Sequence, residues 1–324
     1  MIYIKVLYIG DYIKKNGPSI VDINLNKHFS SNDITREQIN QKINFTFLNK
    51  IFNADIINVS GVSFKGVLAI IIAKFFFKKT TFIMHGSLVI EKKYRNISKY
   101  RILFEKLLIF FVDQIICVSE NFANRIEKKY SLYKYKITYV NNGVKIENNS
   151  INNFDKNKFH ILTVGGGRRE KGIIYLCKAI SLLHDKNIKL IVVGGDGIDT
   201  EKIKSYDFVN YLGFISQKKL FKLMEDSAIF MQNSLYEPFG MTPLEAGQRK
   251  CKLILSKNIG ALSLIDIDSK FIVDPKNINR ISNLVNEILN NNNYEYSNIN
   301  FNYNEISWEK RAREYFDIWK SLLD

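Results

Sequence analysis

Hydrophobic residues recur along this chain in short runs separated by longer amphipathic stretches. Ile2–Gly10 (IYIKVLYIG) is an almost unbroken apolar run rich in β-branched residues, the pattern of a strand buried on both faces of a parallel sheet. A polar loop, Asp11–Ile20, follows, broken by Gly17 and Pro18 ahead of a helix that runs to about Phe29. Further strands are expected at Asp55–Val59, Thr80–Met84, Gln114–Val118 and Ile137–Val140. Helical periodicity lies between them, over Lys65–Phe77, Tyr100–Phe111 and Glu120–Tyr130. Such alternation predicts a parallel sheet wrapped by helices.

Ile146–Lys158 is polar and Asn-rich, the best linker candidate. After it the alternation restarts, with strands expected at His160–Val164, Lys189–Val193, Val209–Leu212, Ala228–Met231 and Leu253–Leu255. Two successive βα runs predict an α/β protein of two doubly wound domains facing each other across a cleft. Asn290–Asn293 reads as a low-complexity loop. The tail, Glu305–Leu323, reads as an amphipathic helix with Trp308, Ala312, Tyr315, Phe316 and Trp319 on one face, a stripe best explained by core packing.

Ser234–Gly260 is where chemistry concentrates. Glu237 and Glu245 flank a Pro-Phe-Gly-Met turn, and a helix is expected to start near Thr242–Pro243, with Thr as cap and Pro in the first turn. The Gly240 and Met241 amides then lie at a positive helix end. Two carboxylate acceptors and several amide donors around one spot suit a polyhydroxylated, anionic ligand such as a nucleotide sugar.

At 324 residues the chain can form two ordinary domains. Cys117, Cys177 and Cys251 form no CxxC pair, so neither zinc nor a disulfide framework is expected, and a cytoplasmic compartment is. Met1–Gly10 lacks the features of a signal peptide. Charges interrupt the most apolar windows, Val67–Phe77 and Leu103–Ile116, before the ~20 residues of a spanning helix. The net charge of +15 is uneven: residues 1–150 carry +12 and the remainder +3. A basic half attracts nucleic acid or an anionic membrane.

Seven fragments in order, FIMHGS (Phe82–Ser87), ICVSENF (Ile116–Phe122), NNGV (Asn141–Val144), LTVGGGRREKG (Leu162–Gly172), LIVVGGDG (Leu190–Gly197), NYLGFIS (Asn210–Ser216) and NSLYEPFGMTPLEA (Asn233–Ala246), carry a resemblance over nearly the whole chain. It resembles the retaining family-four glycosyltransferases of the GT-B fold. That resemblance implies an N-terminal acceptor domain (residues 1–148, with the terminal helix 306–324 crossing back to it) and a C-terminal nucleotide-sugar domain (157–305). It implies that Glu245 binds the ribose hydroxyls and that Glu237 faces the donor sugar, with the Phe239, Gly240 and Met241 amides and Thr242 beside it. Charge-assisted bonds to vicinal hydroxyls are strong.

The same resemblance assigns the diphosphate to Lys171 with Arg168 or Arg169, where fixed cations would stabilise the charge of the leaving group. The family has Gly-Arg directly after the strand; here Gly165, Gly166 and Gly167 precede the two arginines, which leaves open which one reaches the phosphate. Gly17, lacking a Cβ, would let backbone approach the phosphate, although Pro18 stands where relatives have a second glycine. His85 would contact the donor sugar near the reacting centre, and Glu91, Lys92, Lys93 and Arg95 are candidates for the acceptor side. The implied reaction retains anomeric configuration without a protein nucleophile, unlike retaining hydrolases, and without a metal or other cofactor. The departing phosphate helps to deprotonate the acceptor hydroxyl.

Other classes fit less well. Asp266-Ile267-Asp268 matches a metal-binding Asp-x-Asp only literally. Neither a G-x-G-x-x-G at the first strand nor a G-x-x-x-x-G-K-[ST] is present. A sugar-nucleotide epimerase on the same architecture lacks a reason for the Glu237/Glu245 pair. The pI of about 9.4 is not accompanied by a nucleic-acid-binding motif, so no nucleic-acid partner is expected. Lys74, Lys78 and Lys79 bracket Phe75–Phe77, with Lys92, Lys93, Arg95, Lys99 and Arg101 beyond. This pattern fits peripheral contact with an anionic leaflet and a glycan or lipid-linked acceptor; it also fits a Phe cluster in the core with its lysines in water. A role in bacterial surface polysaccharide synthesis, O-antigen or capsule, with a UDP- or GDP-sugar donor, is the expected setting.

Overall fold

A computed structural model of the chain describes residues 4–13, 17–29, 33–146, 156–183, 187–290, 299–300 and 302–324. The chain divides into two compact units, Met1–Gly143 with Tyr303–Asp324, and Val144–Asn302. Most of the expected linker, the Asn290–Asn293 loop beyond Asn290, and His184 lie outside the described residues.

The first unit alternates β1 (Val6–Gly10), α1 (Gly17–His28), β2 (Ile34–Gln38), α2 (Phe45–Asn53), β3 (Ile56–Ser60), α3 (Phe64–Phe75) and β4 (Lys79–Met84). It continues with α4 (Leu88–Glu91), α5 (Lys99–Phe111), β5 (Gln114–Cys117), α6 (Glu120–Lys129) and β6 (Ile137–Tyr139). Its sheet is parallel, in the order β2-β1-β3-β4-β5-β6. β1 and β3 are buried throughout; β1 is an unbroken apolar run, whereas β3 carries Asn58 and Ser60 buried among its apolar residues. β2 and α2 were not foreseen from the pattern. β2 reads Ile-Thr-Arg-Glu-Gln and lies at the sheet edge with Thr35 and Arg36 exposed, so it carries no apolar run.

The second unit contains β7 (Asn157–Val164), α7 (Ile173–Ile180), β8 (Lys189–Val193), α8 (Thr200–Lys204), β9 (Val209–Gly213), α9 (Gln217–Asp226) and β10 (Ser227–Gln232). There follow α10 (Met241–Gln248), β11 (Lys252–Ser256), β12 (Asp266–Ile267), β13 (Ile272–Val273), α11 (Ile278–Asn290) and β14 (Ile299–Asn300). Its parallel sheet runs β13-β11-β10-β7-β8-β9. Numbered within the unit this is the doubly wound order 3-2-1-4-5-6 read from β9. Asp266 sits in the small antiparallel β12–β14 pair and Asp268 accepts from the Lys270 amide, so Asp268 of the Asp-x-Asp match serves a local turn.

α12 (Trp308–Ser321) belongs to the first unit. Trp308, Ala312, Tyr315 and Trp319 are buried. The Trp319 indole N–H donates to Thr81 Oγ1 (3.3 Å), and its ring packs against Tyr8 and Phe29. Gly143 allows the helix start to sit close: a Cβ there would lie 2.7 Å from the Trp308 ring. The three cysteines are buried and free. Among the described residues no helix is long and apolar enough to cross a membrane.

Candidate functional site

In open parallel sheets ligands collect at the carboxyl ends of strands where the winding reverses. In the second unit that point lies between β7 and β10. The chain leaves β7 through Gly165–Gly167 and leaves β10 through Asn233–Gly240, and these loops carry the motif residues.

Lys171 Nζ meets Glu237 Oε2 at 2.5 Å, and both side chains are nearly buried. Gln232, the last residue of β10, donates from Nε2 to the same carboxylate oxygen (2.5 Å). Its Oε1 accepts from the Thr242 hydroxyl at 2.7 Å. Thr242, Gln232, Glu237 and Lys171 thus form one chain of polar contacts. Gln232 lies just outside the motif that resemblance picks out; a polar residue closing an apolar strand was the available signal.

Thr242 does not cap α10 as expected. The cap position is Gly240, in the left-handed conformation at φ 93°, and the helix begins at Met241. The Glu237–Phe239 turn is pinned from outside the helix: Gly260 N donates to Glu237 O and Ala261 N to Phe239 O. This fixes where the helix can start and frees the Thr242 hydroxyl for Gln232. Phe239 is buried. The Phe239, Gly240 and Met241 amides donate to no acceptor among the described residues. Glu245 sits half-buried in the second turn of α10.

The glycine run after β7 has a packing reason. Gly165 N and Gly166 N both donate to Val193 O, and Gly167 N donates to Gly195 O. A Cβ on Gly166 would fall 2.0 Å from Gly195 O, and its φ is 59°. The loop is therefore locked backbone-to-backbone onto the one after β8. Arg168 and Arg169 stand on its rim with side chains half exposed. Arg168 Nε donates to Gly165 O, while Arg169 lies 3.9 Å from Asp199. Neither reaches the Lys171–Glu237 pair.

In the first unit the winding reverses between β1 and β3, and a second polar group gathers there. His85, one residue beyond β4, has Nε2 2.7 Å from Ser60 Oγ at the end of β3. Ser60 Oγ donates to Asp22 Oδ1 at 2.5 Å, Tyr8 OH donates to the same oxygen at 2.7 Å, and Asp11 N donates to Oδ2 at 2.8 Å. Burial pushes the Asp22 carboxyl up to about 6, against the pull of these hydrogen bonds. Burial lowers His85 to about 4, so the imidazole is neutral. Sequence reasoning found His85 but not Asp22, Ser60 or Tyr8. The readable signal was an aspartate on the apolar face of α1.

Glu105, also unforeseen, accepts from the Ser87 hydroxyl (2.8 Å), the Leu88 amide (2.5 Å) and Tyr130 OH (3.1 Å), and so fixes the turn after His85. Burial raises its carboxyl. Gly17 opens α1 and is exposed, with nothing within 4 Å of a notional Cβ. Arg95 is paired with Glu91, and Lys92 and Lys93 are exposed. Among the described residues no three His, Cys, Asp or Glu side chains gather as a metal site.

One face of the first unit is apolar and uncovered. α3 exposes Phe64, Ile71 and Phe75, seven and four residues apart and so on one side; α5 exposes Tyr100, Leu103 and Phe110. Phe104 bridges the two helices, its ring 5.9 Å from Phe64 and 5.8 Å from Tyr100. Phe77, held at φ 56°, is 95% exposed. The Phe75–Phe77 cluster is therefore not core. Lys99 and Lys106 are exposed on α5, and Lys79 is exposed at the start of β4.

Comparison with known proteins agrees with this fold. The description of the glycosyl transferases group 1 matches residues 144–305, and that of glycosyltransferase family 4 matches 27–148. An uncharacterized glycosyltransferase of Methanocaldococcus jannaschii is 28% identical over 257 residues, covering 71% of this chain and 66% of its own. A capsular polysaccharide biosynthesis glycosyltransferase of Staphylococcus aureus is 27% identical over 220 residues, 59% of this chain and 57% of its own. The chain thus spans less than two thirds of each relative's length. The crystal structure of Anabaena HepE in complex with UDP-glucose superposes with a TM-score of 0.73 at 16% identity, over 98% of this chain and 100% of that one, a likeness of fold.

Proposed function

The chain belongs to the glycosyl transferases group 1, and we propose that it moves a sugar from a nucleotide-sugar donor to a glycan or lipid-linked acceptor with retention of configuration. The observation that carries this reading is the joined group at the β7/β10 switch point: Lys171, Glu237, Gln232 and Thr242 beside three undonated amides. Carboxylate and amide oxygens accept from sugar hydroxyls, free N–H groups donate to them, and Lys171 supplies a cation for a diphosphate. Glu245 takes the ribose. Arg168 and Arg169, on the rim, have room to swing onto the diphosphate.

In this reading His85 touches the donor sugar, and Gly17 gives the phosphate room. The departing diphosphate takes the proton of the acceptor hydroxyl. The protein's part is positioning and stabilising the charge that develops on the leaving group, without a metal. A thermal-shift panel of UDP-, GDP- and ADP-sugars against wild type and Glu245→Ala tests it. One nucleotide series should stabilise wild type and not the variant, and turnover should persist in chelator with the product anomer unchanged from the donor. A panel without any shift would sink the reading.

The aromatic face of α3 and α5, with Lys79, Lys99 and Lys106, supports a membrane-borne acceptor and peripheral attachment to the inner leaflet. The capsular relative supports a surface-polysaccharide setting. Wild type should float with vesicles containing anionic lipid at low salt, and Phe75→Ser with Phe77→Ser should not. Equal flotation of both would remove this part of the proposal.

A further inference from the structure

The contacts of Ser60 fix proton positions by counting. Ser60 has a single hydroxyl hydrogen, and its oxygen has two close partners, Asp22 Oδ1 at 2.5 Å and His85 Nε2 at 2.7 Å. Asp22 already collects Tyr8 OH and the Asp11 amide, the environment of an ionised, purely accepting carboxylate above its pKa. The Ser60 hydrogen therefore belongs to Asp22. Ser60 Oγ can then only accept from His85, which requires the hydrogen on Nε2 and leaves Nδ1 bare. Among the described residues no hydrogen bond reaches Nδ1 of His85.

We infer that Asp22, acting through Ser60, locks His85 in its Nε2–H form and so presents Nδ1 as a hydrogen-bond acceptor. Asp22 and Ser60 are positioning residues; His85 is the group that meets the ligand. The ligand atom this arrangement selects is a hydroxyl that donates. A phosphate or carbonyl oxygen would be rejected, because it offers Nδ1 no hydrogen. The lock narrows the proposed role of His85 and rests on that role only for the identity of the hydroxyl, which is a sugar hydroxyl. The hydrogen placement itself stands without any transferase activity.

The decisive experiment uses the whole ligand-free protein. Long-range proton–nitrogen correlation of the imidazoles at neutral pH reads which nitrogen carries hydrogen. The chain has four histidines, and the His85 signals are those that vanish in His85→Gln or, if that variant misfolds, those that alone move in Ser60→Ala. The expected pattern is a protonated Nε2 and an unprotonated Nδ1. A hydrogen on Nδ1, or two averaged nitrogens, would overturn the inference. In Ser60→Ala, with its melting temperature checked, the two nitrogens should average, and persistence of the wild-type pattern would show that Ser60 does not set it. With a donor in hand, Ser60→Ala should lower kcat about tenfold, the worth of one hydrogen bond. Affinity for the nucleoside diphosphate alone, which lacks the sugar, should stay unchanged. Loss of both together would mean a general structural role instead.

Discussion

Lys171 and Glu237 come from the segments that follow the neighbouring strands β7 and β10, 66 residues apart, yet their charged atoms meet at 2.5 Å. A nearly buried pair is held as a unit: removing one partner strands the other's charge. Lys171→Ala and Glu237→Ala should each lower stability by about 3 kcal/mol in urea denaturation. The double variant should lose less than the sum, with a coupling of about 1–3 kcal/mol. Strict additivity would mean that the pair does not interact in solution.

The lock between the β7 and β8 loops makes a second prediction. Alanine at Gly166 would place a methyl 2.0 Å from a backbone oxygen, which cannot rotate away, and would do so at φ 59°. Gly166→Ala should cost about 3 kcal/mol or more. Gly213→Ala is the control, with a similar φ of 64° but open space around it; it should cost about 1 kcal/mol. Equal losses would show that strain, rather than the close approach, sets the need for glycine.

These positions also show what the sequence made legible. The buried strands were readable because burial on both faces leaves short runs rich in apolar and β-branched residues, and β4, β5 and β8 fall where those runs lie. β2 escaped because an edge strand can be polar. Within the site, Glu237, Lys171 and His85 could be named from local motifs, but their partners could not. Gln232 and Ser60 are unremarkable strand ends, and Asp22 is one polar residue in a helix. Each acquires its role from a partner that the fold brings to it: Glu237 in the loop five residues beyond Gln232, His85 just past β4 and 25 residues from Ser60, and Ser60 at the end of β3, 38 residues from Asp22. The start of α10 was misplaced for a related reason: contacts from Gly260 and Ala261 outweigh the capping preference of Thr242.

Gly17 separates a ligand role from a structural one. A Cβ there meets nothing within 4 Å, and its backbone lies outside the left-handed region. Alanine in the first turn of α1 is also the better helix former. Gly17→Ala should therefore keep or slightly raise the melting temperature. If the diphosphate packs on this backbone as proposed, calorimetric titration should show donor affinity falling about tenfold, the cost of about 1.4 kcal/mol of lost contact. Unchanged affinity would remove Gly17 from the site.

Asp22 and His85 titrate in opposite senses, which gives a prediction for pH. Burial raises Asp22 from 3.8 to about 6, so between those values the folded state binds more protons than the unfolded. The contribution of Asp22 to stability is present at the acid end and fades as pH rises through this window. Burial lowers His85 from 6.5 to about 4, so there the unfolded state binds more protons, and stability from His85 grows as pH rises. The other groups facing the pair are Asp11 and the tyrosines Tyr8, Tyr12 and Tyr315, all three raised by burial and neutral in this range. In wild type the two slopes oppose one another, and their joint effect between pH 4 and 6 should be close to flat. Asp22→Asn removes one slope and leaves the other. Its stability relative to wild type should therefore rise from pH 4 to 6.5 by about 2–3 kcal/mol, the worth of a shift of roughly two pH units. Parallel profiles for the two proteins in urea denaturation would show that Asp22 does not take up its proton on folding.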